Sequence, residues 1–318
     1  MNKKMPKLPQ LLERKLFKTG QTRGADDDEI FQNRVARNST VLIPYNEWKK
    51  ALLKEDFENG YIVLVPPKMV SRENALSKAG LEIGRNALFF YETRYDWDKY
   101  NPDEFGFEPA DSRVAPLNGQ FVARIPATTA LVGGEKVNLG FTTTAKKGAG
   151  IRFYEYAARK DIVDARMQLE AQFWLCQDAI AAAVSGGMKK KDAETRKTMV
   201  LRVCDGLGLL DFRRLRKMRI VDGSNATICP FCLERLSGMG FMTRLAQMHG
   251  REVPDLTITE VSLFHIDELR PGTFNHRPYN LGWGHHHCNV VVKDSGIFPT
   301  LKWLVEIVER NRRAGFDI

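Results

Sequence analysis

The sequence predicts an α+β protein in which a mixed N-terminal region leads through a helical middle into a compact C-terminal module. Three observations carry this prediction. Between about 40 and 150, β-branched and aromatic runs are broken by Gly and Pro, the punctuation of strands and turns. From Asp161 onward, apolar residues recur at steps of three and four, the period of a helix. All six histidines lie between His249 and His287, in nearly the same stretch as Cys229, Cys232 and Cys288, and the first 248 residues contain none. Imidazole and thiolate bind borderline-soft metals, and imidazole moves protons near neutral pH. The chemistry is therefore expected in the last quarter.

At 318 residues the chain exceeds one typical domain, and the reading divides it into a scaffold and recognition region over 1–220 and a module over 221–318. Residues 1–24 carry seven Lys or Arg against one Glu with little apolar periodicity, and are expected to form a basic arm. In the strand-rich stretch 40–150, Tyr61-Ile62-Val63-Leu64-Val65 stops at Pro66-Pro67. Ala130-Leu131-Val132 turns at Gly133-Gly134 before Val137-Asn138-Leu139, a hairpin signal. The helical stretch 161–220 starts with Asp161 as N-cap and places Leu169, Phe173, Cys176, Ile180 and Val184 on one face before Gly186-Gly187. Cys176 is thereby read as a buried core thiol. From Lys189 to Arg219 there are eleven Lys or Arg against four Asp or Glu, either a solvated helix face or a polyanion surface.

A net charge of +9 favours a polyanionic partner. No apolar run is long enough to span a membrane, and the first residues lack the apolar stretch of a secretory signal. Five cysteines, an odd number, argue against a disulfide framework. A cytoplasmic protein without membrane association is expected.

Cys229-Pro230-Phe231-Cys232 is a Cys-x2-Cys knuckle introduced by the turn Asp222-Gly223-Ser224-Asn225, and His285-x2-Cys288 repeats the spacing. Two such pairs supply four tetrahedral ligands from two short turns, the construction of a closed structural Zn2+ site. His285, His286 and His287 are consecutive. His285 is favoured because it shares the spacing of the first knuckle.

Between the knuckles lie Ser262-Leu263-Phe264-His265-Ile266-Asp267-Glu268-Leu269, then Arg270-Pro271-Gly272, then Tyr279-Asn280-Leu281, ending in Cys288-Asn289. Over about 225–300 this order resembles the zinc-knuckle branch of the HNH, or ββα-metal, endonuclease superfamily. The resemblance implies His265 as general base, Asn289 as a ligand of a catalytic Mg2+ or Mn2+, and Asn280 as the asparagine that ties the hairpin loop. The types suit phosphodiester hydrolysis, which needs a base for water and a hard cation for the phosphate. The sequence departs from the family at Phe264, which stands where a metal-ligating Asp or His is usual. Strand alternation puts Asp267 on the face of His265, making it the substitute ligand, with His287 as a second. Arg244, His249 and Arg251 lie in the long interval before His265 and are read as a DNA-touching loop.

The whole chain resembles an HNH-class type II restriction endonuclease: a sequence-specific double-strand DNA endonuclease, acting as a homodimer so that two modules cut both strands. The alternatives are another HNH nuclease, modification-dependent, homing or junction-resolving, and a zinc-containing DNA-binding protein without catalysis. The aromatic cluster Phe89-Phe90-Tyr91, Tyr95, Trp97, Tyr100, Phe105 and Phe107 is read first as core and second as a base-stacking surface. Pro102-Asp103 and Glu47-Trp48-Lys49 occur in the wrong order for the rival Pro-Asp…Glu-x-Lys pattern. The apolar stripe Leu301, Leu304, Val305 and Val308 is expected to pack on its own module.

Overall fold

A computed structural model describes residues 5–18, 21–22, 35–125, 150–245, 259–267, 273–293 and 295–317. The chain divides into two compact units: Gln21–Arg159 with Pro271–Phe274, and Met1–Gly20 with Lys160–Arg270 and Asn275–Ile318. The first of these units gives way to the second between Arg159 and Lys160. The described elements run α1 (Gln10–Lys18), β1 (Gln21–Thr22), β2 (Val35–Ala36), β3 (Val41–Pro44), α2 (Trp48–Leu52), β4 (Tyr61–Val65), α3 (Glu73–Lys78), β5 (Ala87–Tyr91), α4 (Arg94–Lys99), β6 (Phe121–Ala123) and β7 (Ile151–Arg152). They continue with α5 (Arg159–Trp174), α6 (Ala179–Ser185), α7 (Lys190–Gly206), α8 (Phe212–Lys217), β8 (Val261–His265), β9 (Leu281–His285), α9 (His286–Val292) and α10 (Ile297–Arg313).

The first unit is built on a sheet in the order β6-β5-β4-β3-β7, and every pairing in it is parallel. Hairpins were the expectation for this stretch. The described strands contradict it because runs such as Ile62-Val63-Leu64-Val65 are apolar at every position, as strands covered on both faces must be. Val41, Ile43, Val63, Val65, Phe89, Tyr91 and Phe121 fill one face, and Leu42, Ile62, Leu64, Leu88 and Val122 the other. The Gly and Pro breaks mark crossovers; Gly60, at φ 71°, starts β4 in a backbone shape that favours glycine. The Gly133-Gly134 turn lies outside the described residues. The aromatic cluster is mainly core: Phe89 stacks on Phe107 at 5.3 Å and Tyr91 meets Trp97 edge-on at 5.4 Å, while Tyr95 and Phe105 stay exposed.

The second unit centres on α5, whose residues Gln168 to Trp174 are all buried. Most of its buried polar atoms find specific partners there, although Gln172 Oε1 has none among the described residues. Gln168 donates to Leu209 O and accepts from the Tyr279 N–H, Gln172 donates to Leu281 O, and the Trp283 indole donates to Leu169 O. Glu170 pairs with Arg196 at 2.6 Å. Buried polar groups are tolerated when bonded in this way, and these bonds tie α5 to β9. The periodic run after Asp161 divides into α5 and α6, with Asp161 inside the first turn and not at the N-cap. Cys176 is buried, as expected.

The described part of the basic arm is not simply solvated. Residues Gln10–Lys18 form a helix whose Leu12 and Leu16 enter the same core as α5. Lys15 donates to Val261 O. On α10, Ile297 and Thr300 are buried and Leu301 packs on the core; Leu304 and Val308 further along the apolar stripe are half-buried, and Val305 is exposed. Among the described residues no helix is long and apolar enough to cross a membrane.

Candidate active site and metal centre

The turn before the first knuckle is set by Asp222, whose carboxylate accepts from the Ser224 hydroxyl and N–H and from the Ala226 N–H. Arg235 pairs with it at 2.6 Å. The Ser224 hydroxyl, then the Ala226 amide and Arg235, pull the Asp222 carboxyl down to about 2. Leu233, at φ 65°, turns the chain so that its N–H donates to Cys229 O. Arg219 donates to Pro230 O and Phe231 O, a local bracing role for a residue of the basic stretch.

These turns and α9 bring Cys229, Cys232, His285 and Cys288 together, with all ligand atoms within 4.8 Å of one another. Tetrahedral zinc with bonds of about 2.3 Å to sulfur needs ligand atoms about 3.8 Å apart, so the set fits after a small contraction. His285 presents Nδ1 to Cys232 Sγ at 3.3 Å. Burial, and then the neighbouring thiols, hold Cys232 and Cys288 above the usual thiol range. Burial lowers His285, favouring the neutral imidazole that metals take. Cys232 and Cys288, crowded in this way, ionise readily only beside a cation. His287 stacks on His285 at 5.3 Å and is exposed, and His286 donates its N–H to Glu260 O.

β8 and β9 are antiparallel, with Val261 opposite His285 and His265 opposite Leu281. α9 follows β9 without a break and packs on both strands. The knuckle and His265 therefore occupy opposite ends of the strand pair, about 13 Å apart along the strand. Phe264 is fully buried in the core, on the other face of the strand from His265.

His265 is half-buried at the end of β8, and its Nε2 lies 3.3 Å from Nδ1 of the buried His276. Because β8 ends at His265, the alternation expected to continue to Asp267 stops there; Asp267 sits exposed in the following bend. Asn280 pins that bend. Its Oδ1 accepts from the Asp267 N–H, and its Nδ2 donates to Asp267 O and Asn275 O. Asp267 lines a cleft of about 280 Å³ with Asn275, Ile297 and Phe298. Asn289 is half-buried on α9. His276 is a fallback for the base in the sequence reading, with His287, but no spacing there pairs it with His265; nor does any spacing pick out the glutamines of α5, which act through contacts distant along the chain.

On α8, Arg213, Arg214, Arg216 and Lys217 are exposed, and the Arg214 guanidinium stacks 4.0 Å over the Tyr279 ring. Tyr279 in turn bonds Gly208 O and the Asp211 N–H. This places a basic surface next to the Asn280 clamp. Arg244 lies within the described residues, paired in a bridge to Thr259; His249 and Arg251 lie outside them.

A model of the BstXI restriction endonuclease family matches residues 14–286. No curated relative and no solved structure matches the chain.

Proposed function

The chain belongs to the BstXI restriction endonuclease family and is thereby a metal-dependent, site-specific deoxyribonuclease; from this premise we propose that it cuts double-stranded DNA through an HNH-type site on β8, β9 and α9. What supports the reading is one arrangement: two antiparallel strands and an uninterrupted helix, with His265 at the end of the first strand and a Cys3His cluster at the start of the helix.

In this reading His265 accepts the proton of the attacking water. Asp267 and Asn289 offer the hard oxygen donors that suit Mg2+ or Mn2+, with His287 as the reserve ligand. When bound, such a cation offsets charge on the phosphate and the leaving 3′ oxygen. Asn280 has its amide committed to the backbone on either side, so its part is to hold Asp267 in place. Cys229, Cys232, His285 and Cys288 hold Zn2+ for folding, since in small metal modules the binding energy is largely folding energy. The exposed arginines of α8 contact phosphates, and Arg214 is held for that task by Tyr279. Cutting both strands is assigned to a homodimer. Light scattering of the protein on a duplex with its site tests this, and one chain per duplex with concerted double-strand cleavage rejects it.

The deciding experiment is plasmid digestion with Mg2+ or Mn2+ by wild type and His265→Ala. Wild type is expected to give discrete bands, and the variant to bind DNA with nearly unchanged affinity without cutting. Dependence on methylated or branched DNA favours a different HNH nuclease, no cutting by wild type favours a DNA-binding protein, and cutting by the variant moves the base elsewhere.

A further inference from the structure

We propose that His276 is a positioning residue that fixes the ring orientation and tautomer of His265, an inference that rests on His265 being the general base. Nδ1 of His276 faces Nε2 of His265 at 3.3 Å, with ring centroids 5.5 Å apart and the planes tilted by 51°. The two rings differ in burial. His276 is 1% exposed, whereas His265 is half-buried, so the inner ring is the anchor and the outer ring reaches toward the surface.

When two neutral imidazoles meet nitrogen to nitrogen, one facing nitrogen carries the proton and the other accepts it, so the tautomers of the two rings are locked together. A base that works on one particular water needs this definition, because a ring that flips or changes tautomer spends part of its time presenting an N–H to the water. The same clamp places both rings. Asn280 bonds the backbone of Asp267, two residues after His265, and the carbonyl of Asn275, directly before His276. The turn from Asn275 to Asn280 is closed further by Arg277 N–H to Asn275 O and Asn280 N–H to Arg277 O. The loop bearing His276 is thus built to present its ring to the end of β8.

The test compares His276→Phe, which keeps a ring and removes both nitrogens, with His276→Asn, which returns a polar group near the Nδ1 position. In single-turnover digestion with enzyme in excess, His276→Phe is expected to lose about a hundredfold in cleavage rate with unchanged DNA affinity, the scale of losing a group that orients a reacting one. His276→Asn is expected to recover about tenfold of that loss. Long-range 1H–15N spectra, with His265 assigned by its absence in His265→Ala, are expected to show one tautomer in wild type and a mixture in His276→Phe. Wild-type cleavage by His276→Phe beside an inactive His265→Ala overturns this inference alone. Full cleavage by His265→Ala overturns the base assignment beneath it. If His276→Phe fails to fold, the wild-type spectrum decides, since a mixed tautomer there also overturns the proposal.

Discussion

The ring of Phe264 lies against Gly284 so closely that a methyl group on that glycine would meet Phe264 Cδ2 at 2.7 Å, and Cys229 Sγ at 3.4 Å. The residue that departs from the HNH pattern is therefore part of the wall between β9 and the Cys3His cluster. Gly284→Ala is expected to destabilise the protein by about 1–3 kcal/mol, the usual cost of overpacking, and to lower its zinc content. Denaturant unfolding together with metal analysis checks both.

Placing there the Asp of the HNH pattern that the sequence resembles is expected to fail for the same reason. Phe264→Asp would bury a carboxylate where a fully buried ring stood, so it is expected to unfold the module instead of raising activity. Phe264→Leu, which keeps the site apolar, is expected to remain folded and active. A Phe264→Asp protein that folds and cleaves faster than wild type would place this residue at the catalytic metal.

Zinc should be stoichiometric and structural. One zinc per chain is expected by elemental analysis, and Cys229→Ala is expected to lose both the metal and the cooperative thermal transition of its unit, because removing a ligand forfeits binding energy that is also folding energy. Cys176→Ala, a change at the core thiol, is expected to keep the metal.

Asp267→Ala and Asn289→Ala are each expected to slow cleavage at low Mg2+ and to recover partly as Mg2+ or Mn2+ is raised, the response to losing one oxygen ligand. A titration of rate against metal reads this directly. An Asp267→Ala enzyme that is fully active at low metal makes His287 the ligand to examine.

Two titrations act on stability in opposite windows. Asp222 is held at about 2 by its turn, below the ordinary 3.8, so its contribution is present above about 4 and is lost as pH falls toward 2. Burial, and then Lys18, lower Lys15 from 10.5 to about 8. A lysine depressed in the folded state makes stability rise with pH between about 8 and 10.5, by at most about 1.4 kcal/mol per unit. Thermal melts of Asp222→Asn and Lys15→Met should flatten the acid and alkaline limbs respectively.

The parts of this molecule readable from the linear chain are those set by residues a few positions apart. The Cys229-x2-Cys232 and His285-x2-Cys288 spacings named the four side chains that converge, and the step from Leu169 to Phe173 marked a buried stretch of helix, with Cys176 buried in the turn that follows it. Ligand spacing on a turn and side-chain period on a helix are local geometry, so no knowledge of the fold is needed to read them. The parallel order of β3 to β7, the burial of Leu12 and Leu16 and the meeting of His265 with His276 were not readable in this way. Each depends on which distant segments share a core, a choice made by whole-surface burial and by buried groups such as Gln168 and Gln172 finding partners more than a hundred residues along the chain.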